Sequence, residues 1–435
     1  MKATFPLLFF VINLLVTTAF ANEKITPSEI AEVVTSVGNL VQQKYVFPEK
    51  GQAIKAFLHQ KLNRKDYKNI TTHQALGESI TTDIQTVSKD KHLRVSFAPE
   101  FVNELNKQAS QHAPEALPES YIKRARRYNF GFEEISIKPG NIGYINLTGF
   151  SNISIGGDTA VAAMNMVANT DAIIFDLRGN GGGSPSMIQL ISSYLFDETP
   201  VHLNSFYWRE NNRTNQTWTM PSVSGKRNIS ADVYILTSGY TFSAAEEFAY
   251  NLKHQKRAMI IGEITGGGAH PGGPSVVNDN FTIFIPNGRA INPITKTNWE
   301  VVGVQPDIKV TSDKALDIAM KTALNKLAQK FPTDEAYYQW HIDYHNALAK
   351  DFTLSHETLK SYVGNYGPRQ LFIEDNQLFY QRGKGNKYRL KPLDKTTFII
   401  PKLKDFRLQV IVENSKITAL KGIYDDGGSD INHRN

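Results

Sequence analysis

The stretch Ala172-Ile173-Ile174-Phe175-Asp176-Leu177-Arg178-Gly179-Asn180-Gly181-Gly182-Gly183-Ser184-Pro185 passes from an apolar run through consecutive glycines to a proline. An unbroken run of branched and aromatic residues reads as a strand buried on both faces, and a proline after a short polar break reads as the first position of a helix. The glycines between them let successive backbone N–H groups point into one concavity, which suits an anion or an oxyanion. No Lys follows as in a G-x-x-x-x-G-K phosphate loop, and the spacing does not fit G-x-G-x-x-G in a dinucleotide fold. The bare alternative is an ordinary strand-to-helix turn.

Working outward, the same alternation continues. Ile142–Leu147 reads as a strand and Thr159 to Asn169 as a helix. After the quoted segment come a helix from Pro185 to Leu195, the apolar run Val233–Thr237, a helix from Ala244 to Leu252 and the run Ala258–Gly262. Continuous apolar strands separated by helices predict an α/β core with a mostly parallel sheet, whose site lies at the carboxyl ends of the strands. Before it, Ile30, Val33, Val34, Val37, Leu40 and Val41, then Leu76, Ile80, Ile84 and Val87, recur at helical spacing and predict an N-terminal helical bundle closed by a short strand, Leu93–Phe97. After it, Leu371-Phe372-Ile373 with Leu378-Phe379-Tyr380, and Leu408–Val412 with Ile417–Leu420, predict hairpins of a small antiparallel β-domain. The expected layout is a helical domain over 22–100, an unassigned linker over 101–136, the α/β core over 137–330, and a helix or linker with the β-domain over 331–435.

Residues 1–21 have the shape of a signal peptide: a basic start at Met1-Lys2, an apolar run from Phe5 to Val16, and Ala19-Phe20-Ala21 before the cut. The apolar run is shorter than the ~20 residues needed to span a bilayer, so export to the periplasm or medium is expected, with no integral membrane span in the mature protein. The chain has no cysteine, which excludes disulfides, thiol catalysis and thiolate metal sites. Its formal charge of +6 comes from scattered Lys and Arg rather than a basic stripe, so no nucleic-acid partner is expected. Histidines show no H-E-x-x-H or similar spacing, and neither a metal nor an organic cofactor is implied.

Ser243 stands where the loop after Val233–Thr237 enters a helix. A Ser there has its hydroxyl near backbone donors and the positive end of the helix dipole. Ser243-x-x-Glu246 is equally a capping-box pattern, so the residue is ambiguous by itself. Two further segments give it company: Gly262-Glu263-Ile264-Thr265-Gly266-Gly267-Gly268-Ala269-His270-Pro271 and Trp299-Glu300-Val301-Val302-Gly303-Val304-Gln305-Pro306-Asp307-Ile308. In this order the four segments resemble the tricorn and C-terminal-processing serine peptidases, which implies a crotonase-like ββα core. The preceding helices with Val87-Ser88-Lys89-Asp90-Lys91-His92-Leu93 resemble the branch that includes interphotoreceptor retinoid-binding protein repeats.

The resemblance implies Ser243 as nucleophile, His92 as general base, Glu300 as the carboxylate that orients it, and an oxyanion hole from the Gly182 or Gly181 N–H with that of Ala244. The substrate class implied is a peptide or protein. Ile264 occupies the position of the Lys in the G-E-K-T motif of Ser-Lys members, which excludes a Ser-Lys dyad. Lys91 precedes His92 where tricorn has a Ser that links base to Glu, and His270 is a rival base among loop glycines. The competing reading is a non-catalytic protein of the same fold holding an apolar ligand against its 24 Phe and 18 Tyr.

Overall fold

The computed structural model describes residues 24–110, 117–349 and 352–435; the expected signal segment lies outside them. The described chain divides into two compact units, one of residues 24–137 with 143–316, the other of 138–142 with 317–435. The first unit opens with helices α1 (Pro27–Lys44), α2 (Pro48–Asn63) and α3 (His73–Ser88), strand β1 (Arg94–Phe97), then α4 (Pro99–Ser110) and α5 (Glu119–Arg127). It continues through β2 (Phe132–Lys138), β3 (Ile142–Leu147), α6 (Ile153–Met166), β4 (Ala172–Asp176), α7 (Pro185–Ser193), β5 (His202–Trp208) and β6 (Arg213–Trp218). It closes with β7 (Asp232–Thr237), α8 (Ala244–His254), β8 (Ala258–Gly262), β9 (Gly272–Val276), β10 (Phe281–Pro286), β11 (Gly288–Ile291) and β12 (Ile308–Lys309).

The first helices start where side chains can satisfy their free N–H groups. Thr26 accepts from the Glu29 N–H ahead of α1, and Thr72 from the Ala75 N–H ahead of α3. The apolar faces of these helices meet in one core, in which Val33, Val37, Ile54, Leu76, Ile80 and Ile84 are buried. Helix α3 ends at Lys89 with φ +62°, and this left-handed residue reverses the chain into β1. Strand β1 pairs antiparallel with β10, and β10 with β9. Phe281, Ile283 and Ile285 of β10 are buried in the same core as the helices, so the helical region is joined to the later chain by packing as well as by strand pairing.

The central sheet runs β12-β8-β7-β4-β3-β2, with parallel pairs β4–β7, β7–β8 and β8–β12. Ile173, Phe175, Ile235 and Ile260 are fully buried with Met187, Ile188, Phe248 and Leu252 from α7 and α8. The sheet ends place the quoted glycine segment, the loop after β7 and the loop after β8 side by side, as a parallel α/β sheet requires. The segment left unassigned over 101–136 contains α4, α5 and the start of β2. The strands β5, β6, β9, β10 and β11, unread in the sequence, join β1 to make two three-stranded sheets, β11-β5-β6 and β1-β10-β9.

The second unit holds most of α9 (Ala315–Lys330), then α10 (Glu335–Ala349), α11 (His356–Tyr362) and two antiparallel sheets. The expected hairpins are Arg369–Glu374 with Gln377–Arg382 and Leu403–Glu413 with Lys416–Tyr424. The protein is thus mixed α/β, with an N-terminal helical region, a central sheet and C-terminal antiparallel sheets. Phe281 is fully buried against Phe97, ring centroids 5.7 Å apart, at the joint between β1 and β10. Phe281→Ala is expected to cost about 3–5 kcal/mol, read as a lower urea midpoint at unchanged slope.

Candidate active site

Strand β7 ends at Thr237, and the loop 238–242 is stitched to the glycine segment: the Ser238 hydroxyl donates to Arg178 O, the Thr241 hydroxyl to Leu177 O, and the Phe242 N–H to Asn180 O. The chain then enters α8 through Ser243, at φ +56° and ψ −121°. A non-glycine residue there is strained, and the strain is held by the surroundings. The Ser243 N–H donates to Glu246 Oε2 at 2.8 Å, and its hydroxyl lies 3.0 Å from His92 Nε2.

Glu246 is fully buried and does more than cap. It also accepts from the Thr265 hydroxyl and from the N–H groups of Gly267, at 2.7 Å, and Gly268, at 2.8 Å. One carboxyl therefore fixes the backbone of Ser243 and the loop after β8 together. Burial pushes it up to about 7, against the pull of these hydrogen bonds.

His92 arrives from the reversal after α3. Its own N–H donates to Asp90 Oδ1 at 2.9 Å, and β1 begins two residues later. The imidazole lies beside Phe242, centroids 4.6 Å apart, and Phe284, at 5.8 Å. Gly268 must be glycine for this approach, since a Cβ there would stand 2.7 Å from His92 Cε1 and 2.3 Å from Phe242 Cζ. Burial holds His92 down at about 4, partly opposed by the charge of Asp90, so the ring is neutral at ordinary pH.

Behind His92 lies a buried acid–base cluster. Asp90 Oδ2 accepts from the Tyr45 hydroxyl at 3.1 Å and pairs with His270 Nδ1 at 2.8 Å, while Oδ1 lies 3.8 Å from His92 Nδ1. Burial works against ionisation of Asp90, but the hydrogen bond and charge of His270 hold its carboxyl below the usual range. Glu300 Oε2 accepts from the Ala269 N–H at 2.6 Å and stands 3.4 Å from His270 Nδ1. Burial, followed by the charge of Asp90, pushes Glu300 up to about 9.

Two of the expected arrangements differ in the structure. Glu300 makes no hydrogen bond to His92: its Oε2 accepts from Ala269, its Oε1 is buried without a hydrogen-bond partner, and Lys91, where a bridging hydroxyl would be needed, donates to Gly266 O. Gly182 does not offer its N–H, which donates to Asn180 Oδ1 at 2.8 Å. Gly182 serves instead by close approach at φ +112°, since a Cβ would stand 2.8 Å from Ser243 Cβ and 3.1 Å from Ala244 N. The N–H groups of Gly181 and Ala244 have no acceptor among the described residues, so both stay open as the expected oxyanion donors. His270, the rival base, faces Asp90 and Glu300 through Nδ1 rather than Ser243.

Three residues of the site carried no catalytic role in the sequence reading. Asn180 is fully buried, and besides holding Gly182 it donates to Leu147 O at 2.8 Å. Its signal was an Asn inside a glycine run; for Asp90 it was the D-x-H spacing, and for Glu246 the capping pattern itself. Asp90, His92 and Glu300 also offer side-chain atoms within 4.8 Å of one another, as metal ligands would. Both oxygens of Asp90 already accept from N–H or O–H donors, and we read the group as acid–base machinery.

Residues 141–310 match the model of peptidase family S41, and residues 25–128 match the N-terminal domain of peptidase S41 in eukaryotic IRBP. The carboxyl-terminal-processing peptidase 2 of Arabidopsis thaliana chloroplasts is 30% identical over 170 residues, which are 38% of this chain. The match spans only 31% of that relative's length. Among solved structures, a lipoprotein from Streptococcus agalactiae overlaps 72% of this chain and all of its own, at 13% identity and a TM-score of 0.45. The photosystem II D1 C-terminal processing protease overlaps 65% of this chain and 94% of its own, at 14% identity and a TM-score of 0.40. Nothing about this chain's chemistry follows from overlaps of that size. By its sequence the chain belongs to peptidase family S41, with the family's own domain at 141–310 behind its N-terminal domain at 25–128.

Proposed function

We propose that the protein is a serine peptidase that hydrolyses peptide bonds in peptide or protein substrates. The observation that carries this reading is the 3.0 Å contact between Ser243 Oγ and His92 Nε2, two residues 151 positions apart that nothing but the fold brings together. Ser243 Oγ attacks the substrate carbonyl carbon as its proton passes to His92 Nε2. The oxyanion that forms is held by the N–H groups of Gly181 and Ala244. Breaking of the C–N bond takes the proton from His92 to the leaving amine, and a water, activated in turn by His92, hydrolyses the acyl-enzyme. Base catalysis of this kind supplies about 10²–10⁴-fold, and an oxyanion donor about 10²–10³-fold.

Asp90 and Glu300 supply the acids behind the base. The charge of Asp90 favours the imidazolium that His92 becomes during the reaction. The competing reading, an apolar-ligand protein, has less support, because Phe132, Phe150, Phe175, Phe248 and Phe281 are consumed in the cores. Export to the periplasm or medium is part of the proposal, and rests on the pattern of residues 1–21. No helix among the described residues is long and apolar enough to cross a membrane.

A fluorophosphonate probe is expected to label the protein at Ser243 and to leave Ser243→Ala unlabelled; labelling that persists in the variant sinks the assignment. The labelling rate requires neutral His92. It should therefore stay level down to weakly acidic pH and fall only as pH drops through about 4, measured on protein shown to remain folded there. Asn180→Ala frees Gly182 and unsettles the donor pair, so labelling should slow about 10²-fold with the urea midpoint lowered by a smaller margin.

A further inference from the structure

Four ionisable side chains and a tyrosine meet behind the nucleophile, and the reaction proposed above uses only His92 directly. For neutral His92 to take the Ser243 proton at Nε2, its own proton must sit on Nδ1, and that N–H needs an acceptor. His92 Nδ1 is buried and makes no hydrogen bond, and Asp90 Oδ1 is 3.8 Å from it. Asp90 is 1% exposed and held from three sides, by the His92 N–H, the Tyr45 hydroxyl and His270 Nδ1. It is built into the same turn as His92, two residues away, so the acid and the base move as one piece. A ring shift of about 1 Å closes the remaining gap to hydrogen-bond length.

Resting on the Ser243–His92 reading, we propose that Asp90, with its charge balanced by His270, is the positioning residue for the base, in the place the resemblance gives to Glu300. The carboxyl of Glu300 is anchored through Oε2 on the Ala269 N–H and stands 3.4 Å from His270 Nδ1; its Oε1 is buried without a hydrogen-bond partner and makes no bond to His92, whereas Asp90 shares the turn of the base. Two carboxylates this close to one another and this deeply buried do not both ionise at modest cost, and the pairing with His270 decides in favour of Asp90. The push on Glu300 from burial and from Asp90 runs the same way. The charged or titratable groups that face the cluster are Tyr45, Lys50, Glu246 and His92 itself, and Lys91 is turned to Gly266 O at the surface.

The test compares fluorophosphonate labelling rates across pH in the full chain for wild type, Asp90→Asn, Glu300→Gln and His270→Asn, with the fold of each checked by circular dichroism. Asp90→Asn should slow labelling by about 10³–10⁴-fold, the scale seen when the acid behind a catalytic histidine is neutralised. Glu300→Gln, which mimics a protonated carboxyl, should cost at least about 100-fold less. His270→Asn keeps a donor for Asp90 but removes the balancing charge, so the acidic limb of the profile should move up by about one pH unit.

A Glu300→Gln loss equal to that of Asp90→Asn overturns the proposal, as does an unshifted limb in His270→Asn. A second reading of the same claim needs no activity. In folded Ser243→Ala protein, the NMR titration midpoint of His92 should rise on adding His270→Asn and fall on adding Asp90→Asn, and a midpoint indifferent to both overturns it. Failure of the parent reading looks different, because wild-type protein then escapes labelling, or labels equally without Ser243, while the midpoints still report on Asp90.

Discussion

The antiparallel pairing of Arg94–Phe97 with Phe281–Phe284 is the constraint on which the site depends. It is a short ladder of four residues, yet it carries the end of the helical region across to the loops of the central sheet. The pairing is held by burial more than by its own hydrogen bonds, since Phe281, Ile283 and Val95 are all in the core that the first helices build. A strand of that length would not persist alone in water. Packing of the helices thereby becomes a condition for the Ser243–His92 contact, and the helical region supplies one side of it.

The cluster at the site obeys one economy of charge. A buried carboxylate is tolerated where N–H and O–H donors surround it, as around Asp90 and Glu246, and where a neighbouring imidazole balances it, as His270 does Asp90. Glu300 has the weaker set of partners and the less favourable neighbour. Such an asymmetry between two nearby acids is what separates a charged support from a neutral one.

How much of this was legible depended on range in sequence. The nest at 179–183, the Ser at the start of α8 and the alternation of strands and helices are local patterns, with causes within a few residues. Ser243 could be found beside its glycines for that reason, and the hairpins of the second unit likewise. The strands β5, β6, β9, β10 and β11 were illegible because one pairing partner lies far off, as for β5, β10 and β11, or because their residues are polar or glycine-rich, as in Arg213–Trp218 and Gly272–Val276. The difference between Gly181 and Gly182 as donors turns on the side chain of Asn180, and the choice between Asp90 and Glu300 turns on where His270 points. No spacing rule encodes either.

The division of the proton-transfer pair between the two ends of the first unit has a consequence for the growing polypeptide. Synthesis delivers Tyr45, Asp90 and His92 first, Ser243 only after some 150 further residues, and His270 and Glu300 last. A nascent chain halted anywhere before Ser243 holds an imidazole with nothing to activate, and one halted before Phe281 has no strand on which to seat it. On the proposed mechanism, latency during synthesis then follows from the order of the residues along the chain.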